Sequence, residues 1–367
     1  MRPAPIRLLS LLALVALLPA GPALAGKIQI TDEAVLNVNL LLQPQVQLIK
    51  DGAPVGDVGT DLFLRRARIL VFGSVTKHLS FFVETDQPNF GKDGNFDVAF
   101  YLQDAFLYYE VADKIFVDAG FLIAPLSRHN LQGAIALNTV DYHANLIRFT
   151  PGVGKVWRDT GVQLRGFAGP VGFRAAILNG VEGKKTTDGV TVNPDDLPRG
   201  VASVRWNFLT REEDLFFQGI YFDDKPRLSV GLGADYQPSA VATASGVHDS
   251  ANFATDVFLD LPLAGDQAVV FNTGVYTYRQ GMDAPQSGTG FFSEVGYRFG
   301  QLEPVVSAEY FNSRVNNQDL LVLRPGFNIW FQKHTFNLKT EVAVSKLGDI
   351  SEADTGITGT AQLQLFY

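Results

Sequence analysis

The five histidines of the chain are His78, His129, His143, His248 and His334. None stands in a His-Glu-x-x-His step or another paired metal spacing, so a zinc hydrolase is not indicated. The absence of Cys removes thiol nucleophiles and Cys-based metal sites. Ser127 and His129 lie close together, but a triad is defined by geometry and roles, and no Gly-x-Ser-x-Gly step occurs. Gly152-Val153-Gly154 and Gly231-Leu232-Gly233 lack the strand-to-helix context of a phosphate cradle; the second reads as small inward residues on a strand. The residues therefore point away from an enzyme and imply no metal and no cofactor. What remains is fixed charge. Basic side chains ringing a narrow passage select anions. The candidates are Arg66, Arg68, Arg165, Arg174 and Arg205 along the chain, with Arg128, Arg148 and Lys155 in the stretch 125–156, opposed there by Asp141. His129 and His143 add charge to that stretch at mildly acidic pH.

Those residues need elements to position them, and the period of the sequence is two. Leu36, Val38, Leu40 and Leu42 alternate with Asn37, Asn39, Gln43 and Gln45, with Leu41 out of phase. Phe336, Leu338, Val342 and Val344 alternate with Asn337, Lys339, Glu341 and Ser345. Successive side chains on a strand point to opposite faces, so one face is apolar and the other polar. Sixteen such segments are predicted: 35–48, 62–75, 79–87, 97–110, 115–124, 157–168, 171–179, 199–208, 227–236, 251–261, 268–279, 290–299, 304–312, 319–331, 334–345 and 359–367. The seventh and the long connection 209–226 carry the weakest pattern.

Short and long connections alternate. The short ones fall near 75–78, 112–114, 169–170, 262–266, 300–303 and 331–334; the long ones near 49–61, 88–96, 125–156, 180–198, 237–250, 280–289 and 346–358. Short turns at one end and long loops at the other predict an all-β chain: a transmembrane antiparallel β-barrel of about sixteen strands, with periplasmic turns and extracellular loops. A soluble sandwich would also alternate, but sixteen strands without a helix or linker fit one closed sheet better, and closure removes the exposed edges. Aromatics near segment ends, among them Trp206, Phe208, Tyr236, Tyr297, Phe299, Trp330, Phe331 and the terminal Tyr367, fit interfacial girdles.

In a barrel this wide the interior is a water channel. The parity of each strand puts Val38, Leu40, Val162, Leu164, Val204, Val230, Leu338 and Val342 outward. It puts Arg66, Arg68, Arg165, Arg174, Arg205, Arg298, Arg324 and Lys339 inward, with Glu84, Asp86, Asp104, Asp118, Asp159, Asp235, Asp256, Asp260, Glu294, Glu309 and Glu341. Arg165, Arg174 and Arg205 fall on consecutive strands, which predicts a basic wall facing acidic ones. Segment 62–75 is ambiguous, because Leu70 and Phe72 share parity with Arg66 and Arg68; a bulge would resolve it.

Residues 1–25 read as a cleaved export signal: Arg2 and Arg7, an apolar run from Leu8 to Leu18, then Ala23-Leu24-Ala25. Residues 26–367 form one barrel domain. The chain is acidic, net −8, which argues against a nucleic-acid partner. An exported chain without Cys suits a bacterial envelope.

The stretch Leu102-Gln103-Asp104-Ala105-Phe106-Leu107-Tyr108-Tyr109, then Ala119-Gly120-Phe121, Pro125 and Trp157-Arg158-Asp159-Thr160-Gly161-Val162-Gln163-Leu164 resembles the phosphate-selective porin O and P family of Gram-negative outer membranes. The step Arg65-Arg66-Ala67-Arg68 is also similar. The resemblance implies an outer-membrane channel for small anions or other hydrophilic solutes, set in lipid, often a homotrimer, with an inward-folded third loop. The chain departs from that pattern at Pro125-Leu126-Ser127, where the family often has Pro-Phe-Gly, in showing no regular arginine ladder, and in ending on Tyr367 rather than Phe. Those departures bear on phosphate specificity. An unselective or cation-preferring porin, and a structural barrel without transport, are the alternatives.

Overall fold

The computed structural model describes residues 26–146, 157–186 and 189–367. The expected signal segment 1–25, Arg148 and Lys155 lie outside the described residues. Sixteen antiparallel strands close into a barrel. In chain order they are β1 (Val35–Ile49), β2 (Gly59–Ser74), β3 (Leu79–Phe90), β4 (Tyr101–Ala112), β5 (Ile115–Ile123), β6 (Arg158–Ala168), β7 (Val171–Leu178), β8 (Arg199–Asn207), β9 (Arg227–Thr243), β10 (Gly246–Pro262), β11 (Gln267–Arg279), β12 (Gly288–Phe299), β13 (Leu302–Ser313), β14 (Asp319–Gln332), β15 (Phe336–Gly348) and β16 (Gly356–Phe366). Each pairs with its sequence neighbours, and β16 returns to β1, with Leu365 opposite Leu42. Tyr367 and Leu40 exchange backbone hydrogen bonds of 2.8 and 2.9 Å at the seam. Beyond that point the short strand Gly26–Gln29 takes over the vacant edge of β1, pairing with Val35–Val38. Each strand of the barrel wall is thereby paired on both sides, which is how a lipid-exposed sheet satisfies its backbone.

The sixteen predicted segments are all strands, the weak seventh included. The predicted parity holds: Val162 and Val204 stand about half exposed on the outside, while Arg66, Asp104, Asp118, Asp260 and Lys339 are buried on the inside. Val230 and Leu338 share the outward parity but are half-buried among their neighbours.

Three expectations are corrected. Residues 237–250 are not an irregular loop: β9 and β10 run on as a ribbon to Thr243 and Gly246. Ala240 and Val241 pack on Val181 and Val192 of the preceding loop, which gives the ribbon a small core. Trp330 is not a girdle residue. It is buried on the lumen side and donates Nε1–H to Glu303 at 2.6 Å. A bulge does occur in β2, at Arg65, where Gln43 pairs with Arg66 and Pro44 with Leu64. It leaves Leu70 and Phe72 facing inward all the same. They adjoin Phe82 and Phe106, which lie on the inner face with Glu84 and Asp104, so the lumen wall of β2–β4 is apolar near the short-turn end. The connection 208–226, long as the sequence indicates, lies between β8 and β9 at the short-turn end.

Candidate functional site

Two connections fold into the lumen. The first joins β5 to β6 and is the third loop on the long-loop side. Its described part, 124–146, contains two short 3-10 turns, Ala134–Ala136 and Ala144–Leu146. It leaves the end of β5 and first leans on β9 and β10. Gly233 permits this approach: a Cβ there would sit 1.8 Å from the Leu126 carbonyl oxygen. Ser127 Oγ lies 2.9 Å from the Tyr276 hydroxyl, and the Arg128 amide donates to Asp256 at 3.0 Å. The loop then crosses to the opposite wall. Gln364 donates to the Ile135 carbonyl at 2.9 Å, Asn328 to that of Asn138 at 2.8 Å, and the Lys339 ammonium to that of Leu137. Asp141 accepts from Arg65 and Arg66 at 2.5 Å each. Burial opposes charge on Asp141, but the two guanidiniums hold its carboxyl well below the usual carboxylate range.

The two loop histidines differ. His143 lies 3.1 Å from Glu294 and 3.7 Å from Glu309. Burial disfavours its charge, yet the hydrogen bonds and charges of those carboxylates raise its pKa overall. His129 faces Gln132 at 2.5 Å and has His143 beside it. Burial, then the His143 charge, pushes it down to about 4. The expectation that both gain charge in mild acid therefore fails for His129, for want of a carboxylate in hydrogen-bonding contact.

The second connection enters from the other end. Its Glu212 forms an ion pair with Arg128 at 2.5 Å, both side chains fully buried. Burial opposes the Glu212 charge, but Arg128 holds its pKa below the ordinary value. Arg128 also donates to the Gln218 carbonyl at 2.5 Å, and its guanidinium lies 3.3 Å from the Phe258 ring centroid. The backbones of the two connections pair directly: Phe217 N–H to Leu131 at 2.8 Å, Gly133 N–H to Phe217 at 3.0 Å, and Gly219 N–H to Ala136 at 2.7 Å. Arg128 is thus tied into this join, and its charge is spent on Glu212 rather than left facing the passage.

The basic wall also differs from expectation. Arg165 takes Asp118 of the adjacent strand at 2.8 Å, Arg205 takes Asp256, and Arg68 takes Glu84 at 2.8 Å and Asp86 at 2.9 Å. Near neighbours neutralise these cations before any field can span the lumen. Of the three wall arginines, Arg165, Arg174 and Arg205, Arg174 is the exception, donating to the Leu215 carbonyl at 2.8 Å with no carboxylate in ion-pair reach. Arg165, Arg174 and Arg205 do gather around one cavity of about 280 Å³ under the third loop, lined also by Arg128, Lys114, Glu212, Glu213, Asp214 and Asp256. Sequence reading missed Glu212, Phe216, Phe217 and Tyr221. The signal available was the run Phe216-Phe217 and Ile220-Tyr221-Phe222 in a connection that should have been polar.

No protein-family profile matches the chain, and no curated protein matches it. Solved structures do. The outer membrane channel DcaP of Acinetobacter baumannii is 14% identical with a TM-score of 0.57, covering 93% of this chain and 100% of its own. The anion-selective porin from Comamonas acidovorans is 12% identical with a TM-score of 0.60, covering 91% and 100%. The trimer form of OmpT, an outer membrane protein of Vibrio cholerae, is 11% identical with a TM-score of 0.55, covering 92% and 100%. At such identities the shared property is the sixteen-strand fold.

Proposed function

We propose that the chain is an outer-membrane porin: a water-filled channel through which small hydrophilic solutes diffuse, narrowed by its third loop. The observation that carries this reading is the closed barrel with an apolar outer face and an inner face of ionised and amide side chains, a combination suited to lipid outside and water inside. The short turns then face the periplasm and the long loops the exterior. Outer-membrane location accords with the export signal read in residues 1–25. A homotrimer in the lipid is the expected assembly, by analogy with the trimeric form of OmpT. Membership of the phosphate-selective O and P family rests on the short motifs at 65–68, 102–109 and 157–164.

Anion preference is the finer reading. The cavity under the loop is lined by five cations against four carboxylates among the described residues, and Arg174 is the cation there whose partners are carbonyls. At physiological salt the Debye length is about 8 Å, so charges at a narrow point outweigh the acidic surface. The test is the reversal potential of single channels in a salt gradient. Anion preference in the wild type, reduced by Arg174→Gln, by Arg165→Gln and by Arg148→Gln, supports the reading. A cation-selective wild type supports the alternative porin, in which the inward carboxylates, Glu303 among them, dominate. No conductance in a properly inserted barrel, with residues 209–226 intact or shortened, overturns the channel itself.

A further inference from the structure

The connection 208–226 has no counterpart in length among the other short-turn connections, and its residues are not those of a solvated turn. Phe216 sets its ring 5.0 Å from Phe82, edge-on, over the inward apolar wall of β2–β4. Phe222 sits on the other side of the lumen, 5.1 Å from Trp330 and 4.9 Å from the His334 ring. The His334 ring lies 2.9 Å from the Ile220 carbonyl, and Lys333 donates to that of Phe222 at 3.2 Å. Between those anchors Tyr221 donates its hydroxyl to Asp214 at 3.0 Å and its amide to Asp260 at 2.6 Å. The segment therefore spans the lumen from β3 to β14–β15. An apolar patch facing the inside of a water channel is unfavourable unless something covers it, and this segment covers it. Gly219 lets it lie flat on the loop above, since a Cβ there would fall 2.5 Å from the Asn138 amide nitrogen.

We propose that residues 209–226 are the second half of the constriction: a strap that enters from the turn end, clasps the third loop through Arg128–Glu212 and the Gln132–Phe217 bridge, and sets the size limit of the passage. The proposal rests on the porin reading. The strap closes the lumen on the side of β2–β5 by covering its aromatic wall. It also fixes the height of the third loop, because three backbone hydrogen bonds and one buried ion pair join the two. Solute passing under the loop meets the strap next.

The experiment uses the full chain in planar bilayers and liposomes, with single-channel conductance and swelling in sugars of graded size as readouts. Glu212→Gln keeps the shape and removes the charge pair. A second variant replaces 211–222 with a short Gly-Ser turn. A third exploits the absence of Cys: Gln132→Cys with Phe217→Cys joins bridge partners, which lie about 4.5–5.5 Å apart and within disulfide reach. The narrowest section governs conduction, so the strap replacement raises conductance at least about two-fold and admits larger sugars. Glu212→Gln moves both readouts the same way by less. The oxidised Cys pair conducts like the wild type, and reduction raises its conductance. Wild-type conductance and size limit in the strap replacement, with heat-modifiability showing an assembled barrel, overturn the proposal while leaving the porin reading standing. A silent wild type beside a conducting strap variant supports the strap as a complete closure. Silence in both overturns the porin reading and the strap with it.

Discussion

The third loop and the strap occupy the same lumen and are held by different forces. The loop is anchored along its length by polar contacts to the wall: Asp141 by Arg65 and Arg66, His143 by Glu294 and Glu309, and its carbonyls by Lys339, Asn328 and Gln364. The strap has polar anchors too, Glu212 on Arg128, the Tyr221 amide on Asp260 and the Ile220 carbonyl at His334, but it adds aromatic ones, Phe216 on Phe82 and Phe222 on Trp330. Charge anchors respond to pH and to substitution of one partner. Ring packing responds to neither in the same way. A constriction built from both keeps its ring contacts where its charged contacts titrate.

The largest expected effect falls where the two halves meet. Replacing Glu212 by Ala leaves Arg128 charged and without its carboxylate in a fully buried site. Loss of one partner from a buried pair costs about 3–5 kcal/mol. Urea unfolding of the refolded barrel in detergent should show a loss of that size. A loss under about 1 kcal/mol would mean that water already reaches the pair.

A wall substitution that touches neither half separates stability from conduction. Val342 lies at the middle of β15 and faces outward, 45% exposed. Val342→Arg should cost about 2–4 kcal/mol, as arginine does near the bilayer midplane, and leave conductance unchanged in the assembled fraction. Leu338 sits two residues into the same strand, beside the ring level of Phe336, so Leu338→Arg should cost only about 0–1 kcal/mol. Equal losses at the two positions would displace the membrane band assigned to β15.

A smaller effect tests the titrating contacts of the third loop. The pKa of His143 is raised from the ordinary 6.5 by partners it gains on folding. Its contribution is fully present below pH 6.5 and is lost as pH rises through the raised value. His129 runs the other way: its contribution is present above 6.5 and lost as pH falls through about 4. Current noise from a loosened loop should therefore grow as pH rises above 6.5, and His143→Gln should remove that dependence. Strap variants that keep His143 should retain it. The smallest effect is expected from Arg174→Gln, which lowers the anion-to-cation permeability ratio by less than about two-fold, because one charge changes among several paired ones.

Much of this was legible in the sequence for a physical reason. Alternation in Val35–Ile49 and in Phe336–Gly348 is a local property, since lipid on one side and polar lumen on the other impose a period of two on each strand separately. Sixteen repeats of it, with turns and loops alternating, forced one closed sheet. Length and the family resemblance together marked the third loop as the one to fold inward. The bulge at Arg65 was suspected from parity, but not that Leu70 and Phe72 would stay inward, because nothing in β2 itself announces the rings that cover them.

The partners of charge were decided by tertiary structure alone. Arg165 finds Asp118 across one strand boundary and Arg205 finds Asp256 across two, and such distances depend on shear and on side-chain reach rather than on spacing in the chain. The strap was hidden for the same reason. Phe216, Phe217 and Phe222 in a turn mean little until a barrel places an apolar patch and a loop within their reach. The sequence by itself determined which face of every strand but β2 meets lipid, because that choice is made residue by residue. Only the closed structure decided which charges are spent on each other and which connection fills the lumen, because both depend on contacts between residues far apart in the chain.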